Sequence, residues 1–272
     1  QRRDPEVVQR CRDVRVIEAE PRLADRQRRA GLLDRQRQVA AHVEHLAELA
    51  DLLWTAGRWD DSAQAAQTLL AHPGGTAVLQ GRALSRLGDL AVARGELSQA
   101  ATFYERAEAL PSDENTARQL TARRLVLGDA DAGPLLLTVL TGVAPGSARL
   151  GPRPPERSEA VTIYMLTRAA ALAPKLALAP YILGRLLYQR GGYAESASEL
   201  ARALDLGLPD ARFERQALLL LGQARLLGGD PPGAIDAFTR LRALLPPHEL
   251  GLANELDDYR DRAGRWSSLP AE

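Results

Sequence analysis

Apolar residues along this chain recur every three or four positions rather than every second one, in short blocks closed by glycine or proline. That period marks one face of an α-helix, and the blocks predict pairs of helices joined by tight turns. Residues 43–70 read as a first complete pair. Leu46, Leu49, Leu52 and Leu53 form one stripe, Gly57 and Trp59 mark the turn, and Ala63, Ala66, Leu69 and Leu70 line the second helix before His72-Pro73-Gly74-Gly75. The plan returns at 81–110 and, more weakly, at 114–142, where the second helix is short and ends at Gly142. Residues 143–157 hold four prolines and two glycines, so they read as a loop or hinge. A helix resumes over 158–173 with Ile163, Leu166, Ala169, Ala170 and Leu172 on one face. Pro174 falls where a closing proline belongs, so this helix reads as the second half of a unit whose first half became the loop. Two clear pairs follow at 177–206 and 215–245. A last helix near 248–264, with Leu250, Leu252, Leu256 and Tyr259 on one side and charge elsewhere, suits a cap.

The glycines fix the register. In the two clearest pairs a Leu-Gly dipeptide precedes a turn glycine by seven residues, Gly184 to Gly191 and Gly222 to Gly229, and a small residue, Ser196 or Ala234, lies five beyond. Leu87-Gly88, Gly95 and Ala100 repeat this spacing, with Tyr104, Ala107 and Pro111 after them. Turn glycines are 38 residues apart between 57 and 95 and between 191 and 229, and 33 apart between 95 and 128. Small residues at these positions let two helices cross closely while leucines fill the grooves between them.

This pattern resembles the tetratricopeptide repeat, a helical hairpin of about 34 residues with the same order of Leu-Gly, turn glycine, aromatic, small residue and closing proline. Leu221, Gly222, Ala224, Gly229, Ala234, Phe238 and Pro246 match in the last unit, and Leu183, Gly184, Gly191, Tyr193, Ser196 and Ala203 in the one before. The resemblance covers roughly residues 43–246. It implies an all-α, right-handed solenoid with N-terminal helices and a C-terminal capping helix. The expected divisions are charged helices over 1–42, a first half over 43–142, a loop or hinge over 143–157, a second half over 158–246, and a cap and tail over 247–272.

Composition agrees with a helical stack, since Ala, Leu, Arg and Glu dominate and aromatic residues are few. Formal net charge is zero, with 35 basic and 35 acidic side chains, which argues against nucleic acid as partner. Residues 1–42 are mildly basic, with eleven arginines against seven carboxylates, in the interleaved order of a solvated helix face. Lys175 is the single lysine, a bias expected of a GC-rich bacterial genome. No apolar run reaches the ~20 residues needed to span a bilayer, so the chain is expected to be soluble, without direct membrane insertion. It begins at Gln1, as a processed form or an excised piece would.

Candidate chemistry is sparse. His42 and His45 lie three apart around Glu44, not the four-residue spacing of a zinc-binding HExxH helix. Cys11, the one cysteine, has no evident base and cannot form an internal disulfide. Gly128-Asp-Ala-Asp-Ala-Gly133 lacks calcium-ligand spacing and reads as a turn. The expectation is therefore no catalytic, metal or cofactor site.

The resemblance implies instead a concave groove lined by the first helices of successive units. By repeat phase its positions are Glu44, Asp51 and Trp54; Arg82, Arg86 and Asp89; Asn115 and Arg118; Tyr181, Arg185 and Tyr188; and Gln216, Leu219 and Gln223. Trp54, Tyr181 and Tyr188 are the aromatic candidates, either as partner anchors or as packing between helices. Ala47 and Asp51 stand where a chaperone-tail clamp needs lysine and asparagine, so that mode is disfavoured. The expected function is a non-enzymatic adaptor for a protein or peptide. The alternative is a sensory or regulatory domain of a larger signalling or membrane-anchored protein, its halves turning about 143–157.

Overall fold

The computed structural model describes residues 38–150, 158–245 and 250–267. The helices expected before residue 38, with Cys11 and the arginine-rich face, lie outside them. All regular structure among the described residues is helical: α1 (38–55), α2 (Trp59–Ala71), α3 (Ala77–Arg94), α4 (Leu97–Glu108), α5 (Glu114–Val126) and α6 (Gly133–Thr141), then α7 (Glu159–Leu172), α8 (Leu178–Gln189), α9 (Tyr193–Leu206), α10 (Ala211–Leu227), α11 (Pro231–Leu244) and α12 (Leu250–Ser267). From α2 to α12 each helix packs on the next, which is an α-solenoid.

Local chemistry sets the ends. Thr76, Asp113, Asp210 and Asp230 accept backbone N–H groups in the first turns of α3, α5, α10 and α11, each cap contributing about 1 kcal/mol. Gly57, Gly95, Gly191 and Gly229 turn the chain between paired helices at φ of 73°, 81°, 79° and 82°, a left-handed conformation that a Cβ disfavours. Gly128 is not among the positive-φ glycines. Its turn is built instead by Asp129, whose Oδ1 accepts from the N–H groups of Asp131 and Ala132 at 3.1 and 2.7 Å.

At each regular crossing a glycine lies against the residue sixteen positions later. A Cβ on Gly88 or Gly222 would stand 2.4 Å from the Tyr104 or Phe238 ring, and one on Gly184 would stand 2.7 Å from Leu200 Cγ. All three partners are fully buried, so the close approach is the core of each pair. Ala50 holds the corresponding place in the first pair, seven residues before Gly57. There the Ser62 hydroxyl donates to Ala50 O at 2.8 Å, as Ser196 donates to Gly184 O at 2.8 Å.

The centre departs from the rule. Between α6 and α7 the described residues hold a short 3-10 turn, Ser147–Leu150, and α6 packs directly on α7. Val143 is buried, and the Gly146 N–H donates to Val92 O at 3.0 Å, which docks the start of the expected loop against the end of α3. Residues 151–157 lie outside the described residues. The stack also meets itself across a long interval. On α10, Arg215 bonds Glu114 of α5 at 2.6 Å and Arg212 donates to Thr121 Oγ1 at 3.3 Å.

Apolar burial follows the stack in three overlapping clusters, one over α1–α3, one from α3 to α11 and one over α10–α12. The cap belongs to the last. Leu256 and Ala263 of α12 are fully buried, and the Tyr259 ring stacks on Phe238 with centroids 5.3 Å apart.

Candidate partner-binding surface

The first helices α1, α3, α5, α8 and α10 bring the groove positions together in two groups of different character. In the first, Asp51 of α1 receives Arg82 at 2.8 Å and Arg86 at 2.6 Å from α3. Arg86 reaches Asp89 at 3.3 Å, and its guanidinium stacks 4.7 Å from the Trp54 ring centre. Asp89 is buried and accepts the Tyr104 hydroxyl of α4 at 2.8 Å. Arg123 of α5 completes the chain of contacts. Its Nε stands 3.5 Å from Asp89, and its terminal nitrogens donate to Ser85 and to the Leu140 carbonyl at 2.9 and 3.3 Å.

These contacts decide the protonation states. Burial raises the Asp51 carboxyl, but the hydrogen bonds from Arg82 and Arg86 outweigh it and hold the pKa below the ordinary 3.8. Burial, reinforced by the Asp89 carboxylate, pushes the Tyr104 phenol far above its usual range, so Tyr104 remains a neutral donor. Five predicted groove residues, Asp51, Trp54, Arg82, Arg86 and Asp89, are thus joined in one network. Trp54 is 4% exposed and its ring meets Trp59 edge-on at 4.8 Å.

The second group is apolar at its base. Tyr181, 2% exposed, packs edge-on to Phe213 at 5.4 Å, and the Arg185 guanidinium stands 5.7 Å above its ring. The Tyr181 hydroxyl is buried beside the Arg185 and Arg118 guanidiniums. Burial raises its pKa, and the nearby positive charges of Arg185 and Arg118 oppose that rise. Arg118 lies 3.6 Å from Glu114. Tyr188 is half-buried beside Tyr193, ring centres 5.8 Å apart, and burial raises its phenol as well. Gln216, Leu219 and Gln223 are half-buried on α10, while Glu44 and Asn115 are exposed.

Beside this group a cavity of about 260 Å³ opens between α5, α6, α7 and α8. Gln119, Arg123, Arg185 and Gln189 supply its polar wall, and aliphatic side chains its floor. The phase count did not place Arg123, Gln119 or Gln189 on the groove, and named Tyr104 only as a repeat position of the second helix. An acid directly after a crossing glycine, Asp89 after Gly88, was the signal that the tyrosine at the crossing needed a polar partner.

The repeated crossings decide the family. A family profile described as tetratricopeptide repeat matches residues 47–114 and 166–249, more than half of the chain. The chain belongs to the tetratricopeptide repeat family. Two solved structures are similar to this tetratricopeptide chain. One, described as YrrB, a TPR protein with an unusual peptide-binding site, is 16% identical, with 80% of this chain and 97% of that one covered and a TM-score of 0.36. The other, MamA, is 14% identical, with coverages of 85% and 98% and a TM-score of 0.34. No curated protein matches the sequence.

Among the described residues no group of three or more His, Cys, Asp or Glu side chains is placed to hold a metal ion. The His42 and His72 rings are 5.6 Å apart, and His72 Nδ1 accepts the Gly74 N–H at 3.1 Å. No described helix is long and apolar enough to cross a membrane.

Proposed function

We propose that this tetratricopeptide chain is a non-enzymatic adaptor that holds a peptide or protein partner on the inner row of first helices. What supports the reading above all is the gathering of the groove positions from α1, α3, α5, α8 and α10 into two continuous groups beside an open cavity. The groups divide the work. Asp51, Trp54, Arg86 and Asp89 are bound to one another and shape the wall, while Arg118 is paired with Glu114 and Tyr181 is packed on Phe213. Arg82, Arg185, Tyr188, Gln216 and Gln223, none of them fully buried, make the contacts with the partner.

The test is site-specific photocrosslinking. A benzophenone amino acid is placed at Gln189, exposed at the cavity, and separately at Thr102, exposed on a second helix. Irradiation in lysate of the source organism is expected to give one adduct, identifiable by mass spectrometry, at Gln189 and none at Thr102. Equal labelling at both positions, or none at either, would remove the inner row as the working surface.

A further inference from the structure

The cavity lies where a regular array would have another helix. In the regular pairs a first helix and a second helix alternate, yet α7, a second helix by its phase, directly follows α6, another second helix, among the described residues. A first helix for α7 would stand between α5 and α8, its back against α6 and α7. Those four helices are the cavity's walls.

The cavity's 260 Å³ lies below the ~300–1,000 Å³ usual for small-molecule sites and suits one or two anchoring side chains. Its charge is one-sided, with two arginines and no carboxylate in its lining. Arg123 already has Asp89. Elsewhere on the inner row Arg82 and Arg86 share Asp51, and Arg118 and Arg215 share Glu114. Arg185, stacked on Tyr181, has no carboxylate within 4 Å among the described residues.

Resting on the adaptor reading, we propose that this cavity receives the acidic anchor of the partner peptide. An Asp or Glu side chain pairs with Arg185, Gln119 and Gln189 stand at its flanks, and a neighbouring large aliphatic residue packs on Leu166, Ile182 and Leu186. The Tyr181 ring, 5.7 Å from the guanidinium, restrains Arg185 before binding, so a carboxylate meets a partly ordered donor with less further loss of freedom.

The test is a selection on the whole immobilised chain from random 12-residue peptides displayed with their C-termini fused, which excludes a terminal carboxylate. The expected set places Asp or Glu next to Leu, Ile or Phe. Replacing that acid by its amide, or Arg185→Gln in the protein, weakens binding roughly tenfold or more. Making both changes costs little beyond either one. Circular dichroism and thermal melting establish that the Arg185→Gln protein is folded. Should it not be, Gln189→Glu, which adds a like charge at an exposed position, is expected to weaken the same peptides by a similar factor. Peptides selected without an acid preference, or indifferent to both variants, overturn the acidic anchor and leave the adaptor reading standing. Selection of no peptide at all counts against both.

Discussion

The first two helical pairs and the last two share a backbone plan but close their inner walls by opposite means. Across α1–α4 the wall is ionic: Asp51, Arg82, Arg86, Asp89 and Tyr104 bond in series, with Arg123 entering from α5. Across α8–α11 it is aromatic, with Tyr181 on Phe213 and the Arg185 guanidinium over the Tyr181 ring. The residue after each crossing glycine shows the change, being Asp89 in the first region but Arg185 and Gln223 in the second. A repeat therefore fixes how two helices approach and leaves the inner wall to be specified separately. An ionic wall satisfies itself. An aromatic one leaves its cation open.

If the crossing is the shared element, enlarging it is the most damaging change in either region. Gly222→Leu forces a side chain into the Phe238 ring, and Gly88→Leu into Tyr104. Each is expected to lose about 3 kcal/mol in urea titrations by overpacking, and an unchanged midpoint for either would break the comparison at its base. If the first wall is held by charge, Asp89→Ala, which strips a buried carboxylate from Arg86, Arg123 and Tyr104, is expected to cost about 3 kcal/mol as well, and Tyr104→Phe about 1–2 kcal/mol. Gln223→Ala, at the equivalent place on α10, is expected to move stability by less than about 0.5 kcal/mol.

The serine bonds are common to both regions. Ser62→Ala and Ser196→Ala each remove a buried hydroxyl from a carbonyl of the partner helix, and equal losses of about 1 kcal/mol are expected. Unequal losses would mean that the first pair, which has Ala50 at the crossing, is not energetically the same unit. A smaller effect depends on pH. The folded pKa of Asp51 is lowered, so its ionic stabilisation is complete above the ordinary value of 3.8 and is lost as the carboxylate protonates below it. Acid titration followed by circular dichroism should show a weaker drop below pH ~4 in Asp51→Asn. A small, salt-sensitive effect is expected at the half-exposed Glu114–Arg215 pair, where a double-mutant cycle should give less than about 1 kcal/mol, falling with added salt.

The helices, the crossing glycines and the cap were legible because each obeys a short-range rule: a period, a fixed offset, a conformation that only glycine adopts freely. The buried face of α1 was misread, since Leu49 and Leu52 of the expected stripe are exposed and Val43, Ala47, Ala50 and Trp54 form the core, where the small Ala47 and Ala50 let α1 approach its neighbours closely. Tyr104 lies sixteen residues after Gly88 just as Phe238 does after Gly222, and that regularity can be counted. The candidate surface was half legible. Phase counting brought Asp51, Arg82, Arg86 and Asp89 to one wall, but a count says which way a residue faces and not what it meets there. That Trp54 packs on Trp59, five residues on, or that Asp89 is buried against Tyr104 and Arg123, depends on neighbours that no phase count pairs. Gly128 kept the spacing of a turn glycine without the conformation, because Asp129 supplies the turn by hydrogen bonds that no glycine offset encodes. The missing first helix before α7 was legible from the proline-rich stretch and Pro174, but its absence did not say what space α5, α6, α7 and α8 would leave between them.

The meeting of α5 with α10 bears on how the chain folds. In an ordinary repeat array every contact is between sequence neighbours, so folding can start anywhere and spread like a zipper, and the ends can open while the middle holds. Arg212 and Arg215 tie residues 91 and 101 positions apart. Closing so large a loop costs entropy that only the completed stretch repays, so the segment between α5 and α10 should form late and as one unit. In native-state hydrogen exchange its amides should then share a single opening free energy, whereas α1 and α12 fray independently at either end.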